Sequence, residues 1–322
     1  MTYKIVLLDM TADARAAQLR ALLPQGFSLS HGTARGDDHM KSIIRDADFA
    51  ITGQVGVSGD VLRAATKLKL LHKWGVGVDN IDIETARQLG IKVARTTGSN
   101  AVPVAEFTLG LMIATLRNLA FGHHHLTQGQ WRAFNQMPAE AFLLSGKTVG
   151  IVGFGAIGQN VARLLKGFRC PILYAKRTAL PADVAAEFDA RHVPLDELLA
   201  TSDVVSLNCP LTPETTNMID RAALARMKKT AVLINVARGG VVVEADLAEA
   251  LRARTIRGAA MDVYAIEPLP AGSELLGLDN IVVTPHIASI VADTFAKNVT
   301  WMFDNFARVA RGEPVPERDH VV

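Results

Sequence analysis

The stretch KTVGIVGFGAIGQNVARLL (147–165) constrains the fold more than any other part of the chain. A strand-length apolar run leads into Gly153, Gly155 and Gly158 at the spacing G-x-G-x-x-G, and a helix-period segment follows at once. Gly153 allows the tight turn out of the strand. Gly155 lets a pyrophosphate approach the backbone, and Gly158 lets the helix pack closely on the strand. The unsatisfied N–H groups at the start of that helix favour an anion. With a strand before it and a helix after it, the motif reads as a dinucleotide site rather than a glycine-rich turn without a ligand.

The same alternation runs along the whole chain. Short apolar runs occur at 4–9, 48–53, 68–74, 91–95, 147–153, 171–175, 203–208, 231–236, 258–263 and 280–285, with helix-period segments between them. Runs this apolar suit strands covered on both faces, and the alternation predicts βαβ units in an α/β fold. One group of runs precedes Thr97 and a second extends from Lys147 to Pro285, and a length of 322 residues favours two domains. Between the groups, residues 101–119 predict one long, nearly uncharged helix, buried on most sides. Ser289–Arg311 predicts a final helix, closed by Gly312 and Pro314.

Composition excludes several classes. A net charge of +2 argues against a nucleic-acid surface. Two cysteines give no disulfide framework and suit a reducing compartment. The N-terminus MTYKIVLLDM reads as a first strand rather than a signal peptide, and the longest apolar stretch, Leu109–Ala114, is too short for a bilayer. The expectation is a cytoplasmic protein with no membrane partner.

The second strand of the dinucleotide unit ends LYAKRT (173–178). An NAD site places an acid here to accept from the ribose 2′-OH. Ala175 cannot accept, whereas Lys176 and Arg177 would attract a 2′-phosphate, Arg with a planar fork. The acid is missing and the bases are present, so NADP(H) is favoured over NAD(H), against the plainer reading of a solvated strand end.

Three later strands run into polar residues suited to catalysis: Arg238 after AVLINVA, Asp262 and Glu267 in GAAMDVYAIEP, and His286 in NIVVTPHIAS. In open α/β sheets ligands sit beyond the carboxyl ends of the strands, so these groups point to the nucleotide crevice. Singly, each has a structural explanation. Together they can move a proton: histidine titrates near neutrality, a carboxylate supports the imidazolium, and arginine holds a carboxylate by a bidentate pair.

Across nearly its whole length the chain resembles the D-isomer-specific 2-hydroxyacid dehydrogenase family, through KWGVGVDNID (73–82), GFGAIG (153–158), CPLTPET (209–215), NVARGG (235–240), Glu267-Pro268 and TPHIA (284–288). The resemblance implies two doubly wound parallel-sheet domains, Rossmann-like and flavodoxin-like. Residues 1–98 plus 289–322 would bind substrate, and 99–288, inserted between, would bind the dinucleotide, with hinges near Gly98–Asn100 and Ala288–Ser289. It implies Arg238 as the substrate-holding arginine, His286 as acid/base and Glu267 as its partner. It also implies a substrate carboxylate on the N–H groups of Gly75, Val76, Gly77 and Val78. Cofactor contacts would come from Val76, Thr108, Ala156, Ile157, Cys209, Pro210, Thr215, Val236, Ala237, Arg238, Asp262, His286 and Ala288, with Asp262 facing the nicotinamide carboxamide.

Such proteins are commonly homodimers with the helix at 101–119 near the interface. Reduction of a small 2-oxo acid such as glyoxylate or hydroxypyruvate is the implied activity. The alternatives are a phosphoglycerate-type dehydrogenase using NAD and a dinucleotide-sensing, corepressor-like interaction protein. Formate is disfavoured, since related formate dehydrogenases carry glutamine where this chain has Glu267.

Other residues read as structural. His72 and Lys73 beside the carboxylate loop are expected as strand-end surface charges, with the reading of a second anionic group as the alternative. His123, His124 and His125 diverge in direction on a helix, so no metal is expected there. Cys209 is expected to pack rather than react. Trp131 is expected at a domain edge, with a part in closing the pocket as the alternative.

Overall fold

The computed structural model describes residues 2–131 and 136–322. The chain forms two compact units: residues 1–100 with 291–322, and residues 101–290. The seams fall two residues beyond the expected ones.

The first unit runs β1 (Tyr3–Met10), α1 (Asp13–Arg20), β2 (Phe27–Gly32), α2 (Asp37–Ile44), β3 (Phe49–Thr52), α3 (Gly59–Ala64), β4 (Leu70–Lys73), α4 (Ile83–Gln88) and β5 (Lys92–Arg95). Every strand pair is parallel and the order is β2-β1-β3-β4-β5, the flavodoxin-like arrangement. Period-two alternation sorts the side chains of β1 onto the two faces. Val6 and Leu8 pack with Ile44, Val61 and Leu62. Ile5 and Leu7 pack with Val299, Met302, Phe303 and Phe306 of α12 (Phe295–Ala310). The end of the chain thus completes the first unit.

The second unit contains α5 (Ala101–Leu116), α6 (Leu119–Thr127), β6 (Val149–Val152), α7 (Ala156–Leu165), β7 (Ile172–Ala175), α8 (Ala182–Phe188), β8 (Ala190–His192), α9 (Leu195–Thr201), β9 (Val204–Leu207), α10 (Arg221–Arg226), β10 (Val232–Asn235), α11 (Glu244–Arg252), β11 (Gly258–Met261) and β12 (Ile281–Val283). Its order, β12-β11-β10-β9-β6-β7-β8, is all parallel and is that of a dinucleotide-binding sheet with a seventh strand. The reversal of strand order lies between β6 and β9, beside the glycine motif. Apolar clusters cover both faces of the sheet.

Two expected helices differ in extent. The helix expected at 101–119 breaks after Leu116. Asn118 takes a left-handed φ of 55°, and α6 leaves at 69° to α5. The buried Arg257 guanidinium stabilises the break by donating to the Thr115 and Leu116 carbonyls and to Asn118 Oδ1, groups a helix end leaves unpaired. The final helix starts at Phe295, not Ser289, because the Ile287 and Ala288 N–H groups are held by Asp262. The edge strands β2 and β8 lack a strand-length apolar run, being half-exposed and largely polar, and β8 has only three residues. No single helix among the described residues is long and apolar enough to cross a membrane.

Candidate active site

At the carboxyl end of β6 the backbone turns at Gly153, with φ +87°. A Cβ on Gly153 would lie 2.6 Å from the Cys209 nitrogen, and one on Gly158 would lie 2.5 Å from the Gly153 carbonyl oxygen. Both glycines are required by close packing of the protein on itself. A Cβ on Gly155 would meet nothing within 4 Å, so this glycine leaves an open approach to the backbone at the start of α7. That is the cradle a dinucleotide pyrophosphate needs, and the residues fit the group. Gly155 and Ala156 are exposed, Ile157 is half-buried, and the sheet beneath is fixed by Gly153 N–H donating to Ala175 C=O at 2.9 Å.

Past β7, Lys176 and Arg177 are exposed, and neither makes an ion pair among the described residues. His192 at the end of β8 donates through Nε2 to the Lys176 carbonyl at 2.9 Å. Arg177 lies near enough to Glu214 for its charge to help lower that carboxyl, after the hydrogen bond from Thr212 and Glu214's own backbone N–H. The loop from Cys209 is folded on Thr215, whose hydroxyl donates to Pro210 C=O at 2.7 Å. Cys209 is buried, which pushes its thiol up to about 11, so it packs rather than reacts.

The three polar strand ends come together. Buried Asn235, the last residue of β10, shapes the next turn by donating to Arg238 C=O and accepting from Ala237 N–H, each at 3.0 Å. Arg238 Nη1 donates to Ala237 C=O at 2.8 Å. Gly239 follows because a Cβ there would fall 1.8 Å from the Tyr264 carbonyl carbon. This contact brings the Arg238 turn against the segment leading to Glu267. Glu267 Oε1 accepts from Tyr264 N–H at 2.9 Å, and Oε2 lies 2.7 Å from His286 Nδ1. Burial opposes charge on Glu267. The hydrogen bonds from His286 and Tyr264, with the charges of His286 and Arg238, outweigh it and hold the carboxyl below the usual glutamate range.

His286 itself has φ +54°, unusual for a residue with a Cβ. Such a conformation persists only when its surroundings hold it. Asp262 supplies the hold: Oδ1 accepts from Thr284 Oγ1 at 2.7 Å and Ile287 N–H at 3.0 Å, and Oδ2 accepts from Ala288 N–H at 2.9 Å. Tyr264 braces the same strand end by donating to Met261 C=O and Thr284 C=O, and burial pushes its phenol up to about 12. Sequence reading missed Asn235, Tyr264 and Thr284. Their signal was a polar atom at the end of an otherwise apolar run.

Some expected contacts differ. Thr108 is fully buried and its hydroxyl donates to Val104 C=O in its own helix, so it offers no surface to a ligand. Both Asp262 oxygens and the Ala288 N–H serve the His286 loop first. Val236 and Ala237 are buried beneath the Arg238 turn.

In the first unit, Gly75 has φ +142°, but its N–H is spent on Thr96 Oγ1 at 3.0 Å and its C=O accepts from Thr96 N–H. Gly75 therefore shapes the loop rather than donating from it. The N–H groups of Val76, Gly77 and Val78 have no hydrogen-bond partner among the described residues, and such successive donors suit a carboxylate. His72 and Lys73 are not surface charges: they are 0% and 6% exposed. Among the described residues no group of histidine, cysteine, aspartate or glutamate is arranged to hold a metal.

Comparison with known proteins gives a consistent family. The model for "D-isomer specific 2-hydroxyacid dehydrogenase, NAD binding domain" matches residues 109–288. A glyoxylate reductase of Korarchaeum cryptofilum is 39% identical over 81% of this chain and 78% of that protein. A D-3-phosphoglycerate dehydrogenase of Methanocaldococcus jannaschii is 38% identical over 84% of this chain, which spans only 51% of that protein. The solved NAD-dependent formate dehydrogenase of Staphylococcus aureus, in complex with NAD, superposes with a TM-score of 0.88 at 31% identity, covering 99% of each chain.

Proposed function

The chain belongs to the D-isomer specific 2-hydroxyacid dehydrogenase family, and from that premise we propose that it reduces a small 2-oxo acid, glyoxylate or hydroxypyruvate, with NADPH in the cytoplasm. The observation that carries the reading is the His286–Glu267 pair at 2.7 Å with Arg238 close enough for its charge to act on Glu267. The open backbone at Gly155 and the first turn of α7, shaped by Gly153 and Gly158, would hold the pyrophosphate of a nicotinamide dinucleotide, which when bound would supply the hydride.

Arg238 orients the 2-oxo acid and stabilises the negative charge that develops on its carbonyl oxygen. His286, protonated, delivers a proton to that oxygen from Nε2, the nitrogen turned away from Glu267. Glu267 holds the ring and keeps the imidazolium charged until transfer. Val76, Gly77 and Val78 offer N–H groups to the substrate carboxylate. Formate oxidation needs no proton on oxygen, so a histidine–carboxylate pair favours a 2-oxo acid over formate.

Lys176 and Arg177, with no acid at the end of β7, support NADPH. Initial rates with glyoxylate and hydroxypyruvate, at matched NADPH and NADH, test both parts. A strong NADPH preference supports the two cations as readers of the 2′-phosphate. Equal rates or an NADH preference reduce them to a solvated strand end. Turnover of 3-phosphoglycerate with NAD and not of either 2-oxo acid would favour the phosphoglycerate reading. Tight NADPH binding without turnover of any 2-oxo acid would favour the sensor.

A homodimer is part of the proposal. Helix α6 has no buried residue, and Leu119, Leu126, Trp131 and Leu143 expose apolar surface around it, Trp131 at 80%. Trp131 does not pack at an edge within the protomer. Light scattering that returned a monomer at micromolar concentration would refute the dimer.

A further inference from the structure

Lys73 ends β4, and its ammonium group donates to Gly53 C=O and to Asn80 Oδ1, the latter at 2.9 Å. Asn80 Nδ2 donates in turn to the carbonyls of Gln54 at 3.2 Å and Val55 at 3.0 Å. The other side of the 53–55 loop is held from β1. Asp9 accepts from the N–H groups of Gly53, Gln54 and Val55. The Thr52 hydroxyl adds a bond to Val55 C=O at 2.7 Å. The loop is thus gripped through its N–H groups by Asp9 and through its carbonyls by Lys73 and Asn80.

Lys73 and Asn80 also bracket the segment that carries the open N–H groups of Val76, Gly77 and Val78, which Thr96 fixes at Gly75. We infer that Lys73 and Asn80 are positioning residues that clamp this segment to the 53–55 loop, presenting the 76–78 N–H groups to one substrate carboxylate. The inference rests on the proposed role of residues 76–78 and deepens it. A buried ammonium is expensive to leave unpaired, and Lys73 meets that need in part with Gly53 C=O and Asn80 Oδ1, which ties the end of β4 to both loops. Holding the donors in place matters because a carboxylate is bound only where successive N–H groups converge on it, so loosening them weakens substrate binding.

The test uses full-length Lys73→Met, Lys73→Arg and Asn80→Ala. The readouts are kcat and KM for glyoxylate and for a phosphorylated 2-oxo acid, dinucleotide affinity, and amide hydrogen exchange in peptides covering 53–55 and 74–80. The clamp predicts that KM for glyoxylate rises about tenfold or more in Lys73→Met and Asn80→Ala, with kcat changed by less than about threefold. Dinucleotide affinity stays at the wild-type value, both loops exchange faster, and Lys73→Arg restores much of the loss. A glyoxylate KM unchanged in Lys73→Met, with a raised KM for the phosphorylated acid alone, would overturn the inference and make Lys73 a reader of the second anion. If the wild-type protein turns over neither acid, the proposed activity fails on its own. Hydrogen exchange then decides the clamp: faster exchange in both loops supports it and unchanged exchange overturns it.

Discussion

A histidine at φ +54° is held in place by an aspartate bonded to its neighbours Thr284, Ile287 and Ala288, and this sets what each residue of the site does. His286→Ala is expected to lower kcat by about 10²–10⁴-fold while dinucleotide affinity changes little. A comparable loss of affinity in a direct titration would show that the histidine serves binding instead. Glu267 has a lowered pKa, so its carboxylate is ionised throughout the range above about 4.5, and its support of the imidazolium is present there. Gln at this position keeps the shape but loses the charge. Glu267→Gln is therefore expected to lower kcat by about tenfold or more, with dinucleotide affinity unchanged. An unchanged kcat would show that the carboxylate does not serve the proton transfer. Arg238, Glu267 and His286 were legible in the sequence because each follows a strand. Asp262 was legible as a residue, but its hold on the His286 loop was not, since that depends on where two separate strand ends lie.

Elements carry the next level of constraint. Gly155 and Gly239 look alike in sequence, yet one faces open space and the other faces the Tyr264 backbone. Gly155→Val should fold with near wild-type thermal stability and lose at least about tenfold in dinucleotide affinity, because it fills the approach to α7. Gly239→Ala should fail in stability first, since its Cβ has no room without moving the β11 loop. Thermal melts and dinucleotide titrations of the two variants separate these effects, and similar behaviour of both would contradict the cradle.

Strand β4 and helix α12 are joined by His72. Its Nδ1 faces Lys73 C=O at 3.0 Å, its Nε2 accepts from Asn305 at 3.0 Å, and Asn305 and Trp301 both donate to Asp319. Burial pushes the imidazole down to about 4 against the Lys73 hydrogen bond and the Asp319 charge, which pull it up. The unfolded chain takes up this proton near pH 6.5 and the folded chain only near 4. Stability is therefore complete above about pH 6.5 and declines as pH falls toward 4, by on the order of 3 kcal/mol. Denaturant midpoints across that range should flatten in His72→Gln relative to wild type. Parallel slopes would exclude His72 as the cause.

At the scale of the molecule, the chain enters the first unit twice. Val299, Met302, Phe303 and Phe306 of α12 are at most 1% exposed against β1 and β3. Their burial is worth about 6–12 kcal/mol, as much as a domain's whole stability. Residues 1–100 expressed alone should therefore be unfolded or insoluble. Residues 101–290 hold all seven strands of their sheet and should fold and bind dinucleotide, which circular dichroism and calorimetry would show. A cooperative melt of 1–100 alone would remove the case for α12.

The α/β class, the two groups of strands and the glycine cradle are legible in the chain alone. Each of these is written in local periodicity, in strand-length apolar runs and in a turn chemistry only glycine satisfies. The chain also places the polar residues at strand ends, which in such sheets face ligands. Which of these residues can act depends on packing in three dimensions. Burial and hydrogen-bond partners come from chain segments far apart. They turned Lys73 from a surface charge into a clamp, spent the Gly75 N–H on Thr96, closed Thr108 to ligands and broke the helix after Leu116 on the distant guanidinium of Arg257.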